Sequence, residues 1–152
     1  MKYSTNRGFT LIELLVVIAI IAILTAVIMT NIYSSRGKAR DAKRISDIAQ
    51  IQLALEQYFN KNGGYPSADN GYLVPDVLKT DGYISVIPTD PTTHAKYTYG
   101  TDSNATHFDY VLKASLEYTN GATADALTGT FYGNTANITC NSATTAYCVG
   151  PK

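Results

Sequence analysis

The sequence predicts an α+β fold in which one long N-terminal α-helix, half of it suited to a membrane, packs on a small antiparallel β-sheet head. Three observations lead there. An apolar run from Phe9 to Met29 carries one ionisable side chain, Glu13. The chain after it keeps a helical, amphipathic pattern to about Asn60, with no proline between Met29 and Pro66. From Gly63 onward tyrosine, threonine, glycine and aspartate replace the long aliphatic runs, and short alternating patterns replace the helical one. The chain therefore divides into a polar segment 1–8, an apolar helix 9–29, its amphipathic continuation 30–62 and a head 63–152.

As a helix, Phe9 to Met29 is about 31 Å long, enough to cross a bilayer. A carboxylate inside such a span costs several kcal/mol, of order 2.5 to 3.5 at its centre, and Glu is too short to snorkel far. Glu13 therefore needs a partner. Residues 1 to 8 hold only Lys2 and Arg7 as charges, and Leu24 to Asn31 offers no small-residue cleavage site of the secretory kind. The apolar run reads as retained.

Past the span, Ile45, Ile48, Ile51, Leu55, Tyr58 and Phe59 fall within an arc of roughly 140°, opposite Lys43, Ser46, Asp47, Gln50 and Gln57. This half is expected to lie on the head. Asn62-Gly63-Gly64 supplies a stop, and Gly37 after Ser34 and Ser35 marks the expected bend.

In the head, Asp76 to Lys79 suggests a short helix or turn, Tyr83 to Ile87 a short strand, and Pro88-Thr89-Asp90-Pro91 a turn. Lys96 to Gly100 alternates around Tyr97 and Tyr99. The clearest strand is Phe108 to Glu117, with Phe108, Tyr110, Leu112, Ala114 and Leu116 on the packed face and Val111 among the residues facing water. The tail, rich in Thr, Asn, Ala and Gly, suggests exposed surface.

The formal charge sums to zero, but through Asn62 eight Lys/Arg stand against four Asp/Glu, a balance of +4, and the remainder balances at −4. A basic stalk and an acidic head suit attraction between copies. The few basic residues flank an apolar segment, and no nucleic-acid site is evident. Cys140 and Cys148 are too far apart for a CxxC metal or redox motif, and export past a membrane favours a disulfide over a metal pair, with free thiols as the alternative.

No catalytic pattern emerges: His94 and His107 have no ligand-spaced neighbours, and Asp81, Asp90 and Asp102 sit among turn residues. The triplets at Asn104 and Asn137 fit N-glycosylation but are too short to weigh. The expected protein is structural, not an enzyme, and uses no cofactor or metal.

Residues Gly8 to Leu24, GFTLIELLVVIAIIAIL, resemble the prepilin motif of type IV pilins and their pseudopilin relatives. The resemblance implies the type IV pilin fold, cleavage after Gly8 by a prepilin peptidase on the cytoplasmic side, and N-methylation of Phe9. It places the family's assembly glutamate at Glu13. Cutting after Gly8 would free an amine on Phe9 one helical turn from Glu13. The family's pairing acts between an incoming subunit and its neighbour; the rivals are that Glu13 pairs with its own Phe9 amine or stays unneutralised near the headgroups. The partners so implied are further copies of the chain, the peptidase and the pilus or secretion machinery of the inner membrane. The precursor would be a single-pass protein of that membrane with a cytoplasmic N-terminus, later an extracellular pilus or periplasmic pseudopilus.

Ala42 to Phe59, Asn62 to Pro66, Ile87 to Pro91 and Tyr97 to Tyr99 look like the stalk end and loop of major pseudopilins of type II secretion and related short pilins. A glycine and a proline common in the family's apolar segment read Ala22 and Thr30 here. The family's acidic calcium loop finds only Asp125 between residues 119 and 152, so that site is not carried over. Cys140 and Cys148, placed like the disulfide loop of many pilins, tilt the reading towards a pilus subunit. The alternative is the major pseudopilin of a type II secretion or DNA-uptake system, and a third reading is an unassembled, uncleaved membrane-anchored binding module. One count opposes the expected orientation: Arg36, Lys38, Arg40, Lys43 and Arg44 outnumber Lys2 and Arg7, which by charge alone would put the C-terminus inside.

Overall fold

The computed structural model describes residues 8–70, 72–101, 107–118, 127–132, 137–141 and 145–151. Residues 1–7, Asp102, the Asn104 triplet and Asp125 lie outside them. The chain divides into two compact units, one ending at Arg36 and one beginning at Gly37. Helix α1, Leu11–Asn62, enters both.

In the N-terminal unit the apolar face of α1 is open on all sides among the described residues. Every described residue from Leu11 to Met29 is exposed, and this stretch meets the length and hydropathy of a membrane span. Mid-span, the Thr25 hydroxyl donates back to the Ile21 carbonyl, the way a hydroxyl is satisfied where water is absent.

In the C-terminal unit the amphipathic part of α1 packs on the head. Ile48, Ile51 and Leu55 are fully buried, with Tyr58 and Phe59 partly buried beside them. They meet Val74, Leu78 of the short helix α2 (Val77–Thr80), Tyr97 and Tyr99, and Tyr110, Leu112 and Ala114. The central sheet is antiparallel with order β1 (Thr98–Thr101), β2 (Tyr110–Ser115), β5 (Ala146–Val149). Thr98 pairs Lys113 and Thr101 pairs Tyr110 on one side of β2; Leu112 pairs Val149 and Ser115 pairs Ala146 on the other. Strands β3 (Gly129–Tyr132) and β4 (Asn137–Cys140) form a separate antiparallel hairpin.

The end of α1 follows from its last residues. The Asn62 amide donates to the Tyr58 carbonyl, and Gly63, at φ +74°, donates its N–H to the Phe59 carbonyl.

Helix α1 continues through Gly37, where a Cβ would overlap the Tyr118 ring, so glycine serves close approach there. Four expectations need correction. Asp47, expected on the outer polar face, is fully buried and accepts hydrogen bonds from the Tyr97 hydroxyl at 2.9 Å and Lys43. Tyr83 to Ile87 forms no strand. Val111, expected in water, is buried with Ile138, Cys140 and Cys148, while Phe108, expected on the packed face, is exposed. The tail is not mere surface, because it supplies β5 to the central sheet and the hairpin that covers Val111.

Candidate functional site

The segment that carries the prepilin resemblance begins in the open. A Cβ added at Gly8 would meet nothing within 4 Å, and Phe9 is 90% exposed, so packing asks for neither residue. The order begins one residue later. The Thr10 N–H donates to Glu13 Oε2 at 2.8 Å, the Thr10 hydroxyl donates to the same oxygen at 2.7 Å, and the Glu13 N–H donates to Thr10 Oγ1 at 3.3 Å. This is a capping box. A threonine at the helix N-cap and a glutamate three residues on satisfy each other's backbone donors, and the carboxylate also meets the positive end of the helix dipole.

The box gives Glu13 a partner other than an amine, and Thr10-Leu11-Ile12-Glu13 before an apolar run is its sequence signature. Glu13 Oε1 accepts no hydrogen bond among the described residues, so one carboxylate oxygen is left over.

A second polar constellation lies in the C-terminal unit, where α1 meets the loop before β1 and the end of β2. Arg44, 4% exposed, donates to Asp41 at 2.7 Å, Asp90 at 2.7 Å and Glu117 at 3.0 Å. Arg40 holds both oxygens of Glu117. Asp41 accepts from the backbone N–H groups of Glu117 and Tyr118, each at 2.9 Å, and so ties the chain leaving β2 to the helix. Asp90 also closes its own turn by accepting from Thr92 and Thr93 N–H. Its carboxyl is held well below the usual range, first by Arg44, and Glu117 is lowered to about 2, first by Arg40 and then by Arg44.

The attraction between basic stalk and acidic head thus operates inside one chain, which corrects the expectation of attraction between copies for these residues. A cleft of about 380 Å³ opens beside them, but its cations are committed. Lys96 pairs with Asp69 and Asp76, and Lys113 donates to the Thr139 carbonyl. Arg40, Lys43 and Arg44 each have carboxylate partners within the fold, so three of the five cations that opposed the expected orientation belong to the head's packing.

Cys140 and Cys148 are bonded, with Cα atoms 6.0 Å apart, and both are buried. His107 Nε2 lies 3.3 Å from the Ser67 hydroxyl. Among the described residues no group of three or more His, Cys, Asp or Glu side chains is placed to hold a metal.

Comparison with known proteins fits these two regions in turn. Residues 3–29 match the prokaryotic N-terminal methylation motif, and residues 31–126 match the family described as type II secretion system (T2SS), protein G. Similar curated proteins include the type II secretion system core protein G of Pectobacterium carotovorum, 35% identical over 96 residues covering 57% of this chain and 62% of that protein. That of Klebsiella michiganensis is 36% identical over 101 residues, covering 60% and 71%, and that of Pseudomonas aeruginosa 35% identical over 101 residues with the same coverage. The matched stretch thus spans about three fifths of the Pectobacterium protein. No solved structure matches at comparable significance.

Proposed function

Because the chain belongs to the type II secretion system protein G family, we propose that it is a major pseudopilin, a structural subunit and not an enzyme, that polymerises through α1 into a periplasmic pseudopilus. The family match over residues 31–126 carries this reading and replaces the tilt towards a pilus, because the disulfide tail that prompted the tilt lies beyond residue 126. On this reading a prepilin peptidase cuts after Gly8 and Phe9 is methylated. The precursor sits in the inner membrane with its N-terminus in the cytoplasm, and cytoplasmic ATPases of the secretion machinery drive assembly.

The geometry supports the sequence of events. An unpacked Gly8 leaves the peptide bond to Phe9 accessible. A bare apolar helix exchanges lipid for a core of identical helices at little hydrophobic cost. Glu13 keeps Oε2 in its own cap and offers Oε1 to the Phe9 amine of a neighbour, so one carboxylate starts the helix and receives the next subunit.

The test joins two measurements. Mass spectrometry of the mature chain should find it beginning at methylated Phe9, and Glu13→Ala should be processed normally yet lose most filament. An unmodified Met1, or full filament levels in the variant, would refute the reading. A pilus subunit is the second reading, favoured by the Cys140–Cys148 bond; deletion of the chain should then remove surface pili and leave protein secretion intact.

A further inference from the structure

The bare apolar surface of α1 ends at Ile32, and the next turn carries Tyr33 and Arg36, three residues apart and so on one helix face. Tyr33 is 69% exposed and Arg36 is exposed. Neither has a hydrogen-bond or ion-pair partner among the described residues, whereas Arg40, Lys43 and Arg44 all do. Lys38, in the C-terminal unit, likewise has no ion-pair partner among the described residues and sets the background against which an Arg36 variant is read.

Distance along the helix gives these two residues a place. From Leu11 to Ile32 the rise is about 31 Å, close to the thickness of a bilayer's hydrocarbon core. Tyr33 then falls at about 33 Å and Arg36 at about 37 Å, the edge of the core and the headgroup layer beyond it. A tyrosine at that edge keeps its ring in the apolar zone and its hydroxyl in water, and a guanidinium one turn further reaches phosphate oxygens with its planar fork.

We propose that Tyr33 and Arg36 form a headgroup anchor, in which Arg36 binds the phosphate of an anionic phospholipid and Tyr33 fixes the depth of the helix. The proposal rests on α1 being a membrane anchor. It frames the span from both sides: the Thr10–Glu13 box marks one boundary and Tyr33–Arg36 the other. A subunit leaving the membrane would then give up a specific lipid contact as well as bulk lipid.

The chain has no tryptophan, so single-tryptophan variants report without background. Full-length Ile21→Trp and Tyr33→Trp are placed in phosphatidylcholine vesicles with or without phosphatidylglycerol, together with lipids brominated near the headgroup or deep in the tails. Trp fluorescence at position 21 should be quenched by deep bromines and at position 33 by shallow ones. Lipid co-isolated with the otherwise native chain should be enriched in phosphatidylglycerol, and Arg36→Gln should lower that enrichment about fivefold while Arg36→Lys keeps most of it.

If position 21 escapes deep quenching, the membrane reading fails and the anchor with it. If position 21 is deep but position 33 is unquenched, the anchor alone is overturned. The anchor is also overturned if enrichment ignores Arg36→Gln, or if inorganic phosphate added to the vesicles that contain phosphatidylglycerol displaces the bound phosphatidylglycerol.

Discussion

Helix α1 is two helices in one, and the contrast between its halves shows how the same backbone is fitted to different surroundings. From Leu11 to Met29 apolar residues occupy all sides and every described side chain is exposed. From Gly37 to Asn62 apolar residues occupy one stripe, and Ile48, Ile51 and Leu55 are fully buried against the sheet. A helix apolar all round asks for lipid or for other helices, and a striped one asks for a single neighbour. The head supplies that neighbour; the first half is left for a membrane and then, on the proposed function, for copies of itself.

The largest expected effect separates the halves by truncating one aliphatic side chain in each to alanine. Truncating Leu55 to alanine removes a fully buried side chain of the head's core and should destabilise the head by about 2 to 5 kcal/mol. Ile18→Ala lies on exposed surface and should change head unfolding by less than about 0.5 kcal/mol. Thermal unfolding of the full-length chain in detergent, followed by the tyrosine signal of the head, measures both. Equal losses would mean that the N-terminal half is part of the head's cooperative core.

The disulfide comes next. It links β4 to β5 and lies with Val111 and Ile138 on the far side of the sheet from α1's stripe. A chain with both cysteines changed to serine should lose about 2 to 3 kcal/mol of head stability, as expected for closing so short a loop. Membrane insertion of the first half should be unaffected, which carbonate extraction of membranes checks.

How much of this was legible in the sequence follows the same division. The long helix, its apolar run, its stripe and its glycine stop were readable because each is a local pattern with a fixed period or a special backbone angle. The capping box is equally local, but a carboxylate inside an apolar run stands out as a charge before it stands out as a cap. What could not be read was set by distant neighbours. Asp47 looked like surface because its spacing was polar, yet Tyr97, 50 residues on, gives its carboxylate a buried hydrogen bond. Gly37 also makes room for the Tyr118 ring, and nothing local in the sequence says so. The tail looked like loop because four-residue strands carry too little pattern to announce that one of them completes the central sheet.

The smallest effect concerns charge, and it too distinguishes the halves. Glu117 titrates at about 2 in the folded chain against an ordinary value of 4.5, because Arg40 and Arg44 hold its carboxylate. A carboxyl lowered by folding adds stability that is complete above its unfolded pKa and disappears as pH falls through its folded one. The head should therefore lose melting temperature from about pH 5 down to about pH 2, in part through this group. Glu117→Gln has no such proton to bind, so its melting temperature should start lower at pH 7, fall less steeply, and approach that of the native chain near pH 2. Parallel curves would show that Glu117 contributes no pH-linked stability. The span holds no comparable ion pair between Leu14 and Met29, where no side chain ionises, so its retention in vesicles should not change over that range. A head that melts in acid while the helix stays in lipid would show that the covalent continuity of α1 does not make its halves one folding unit.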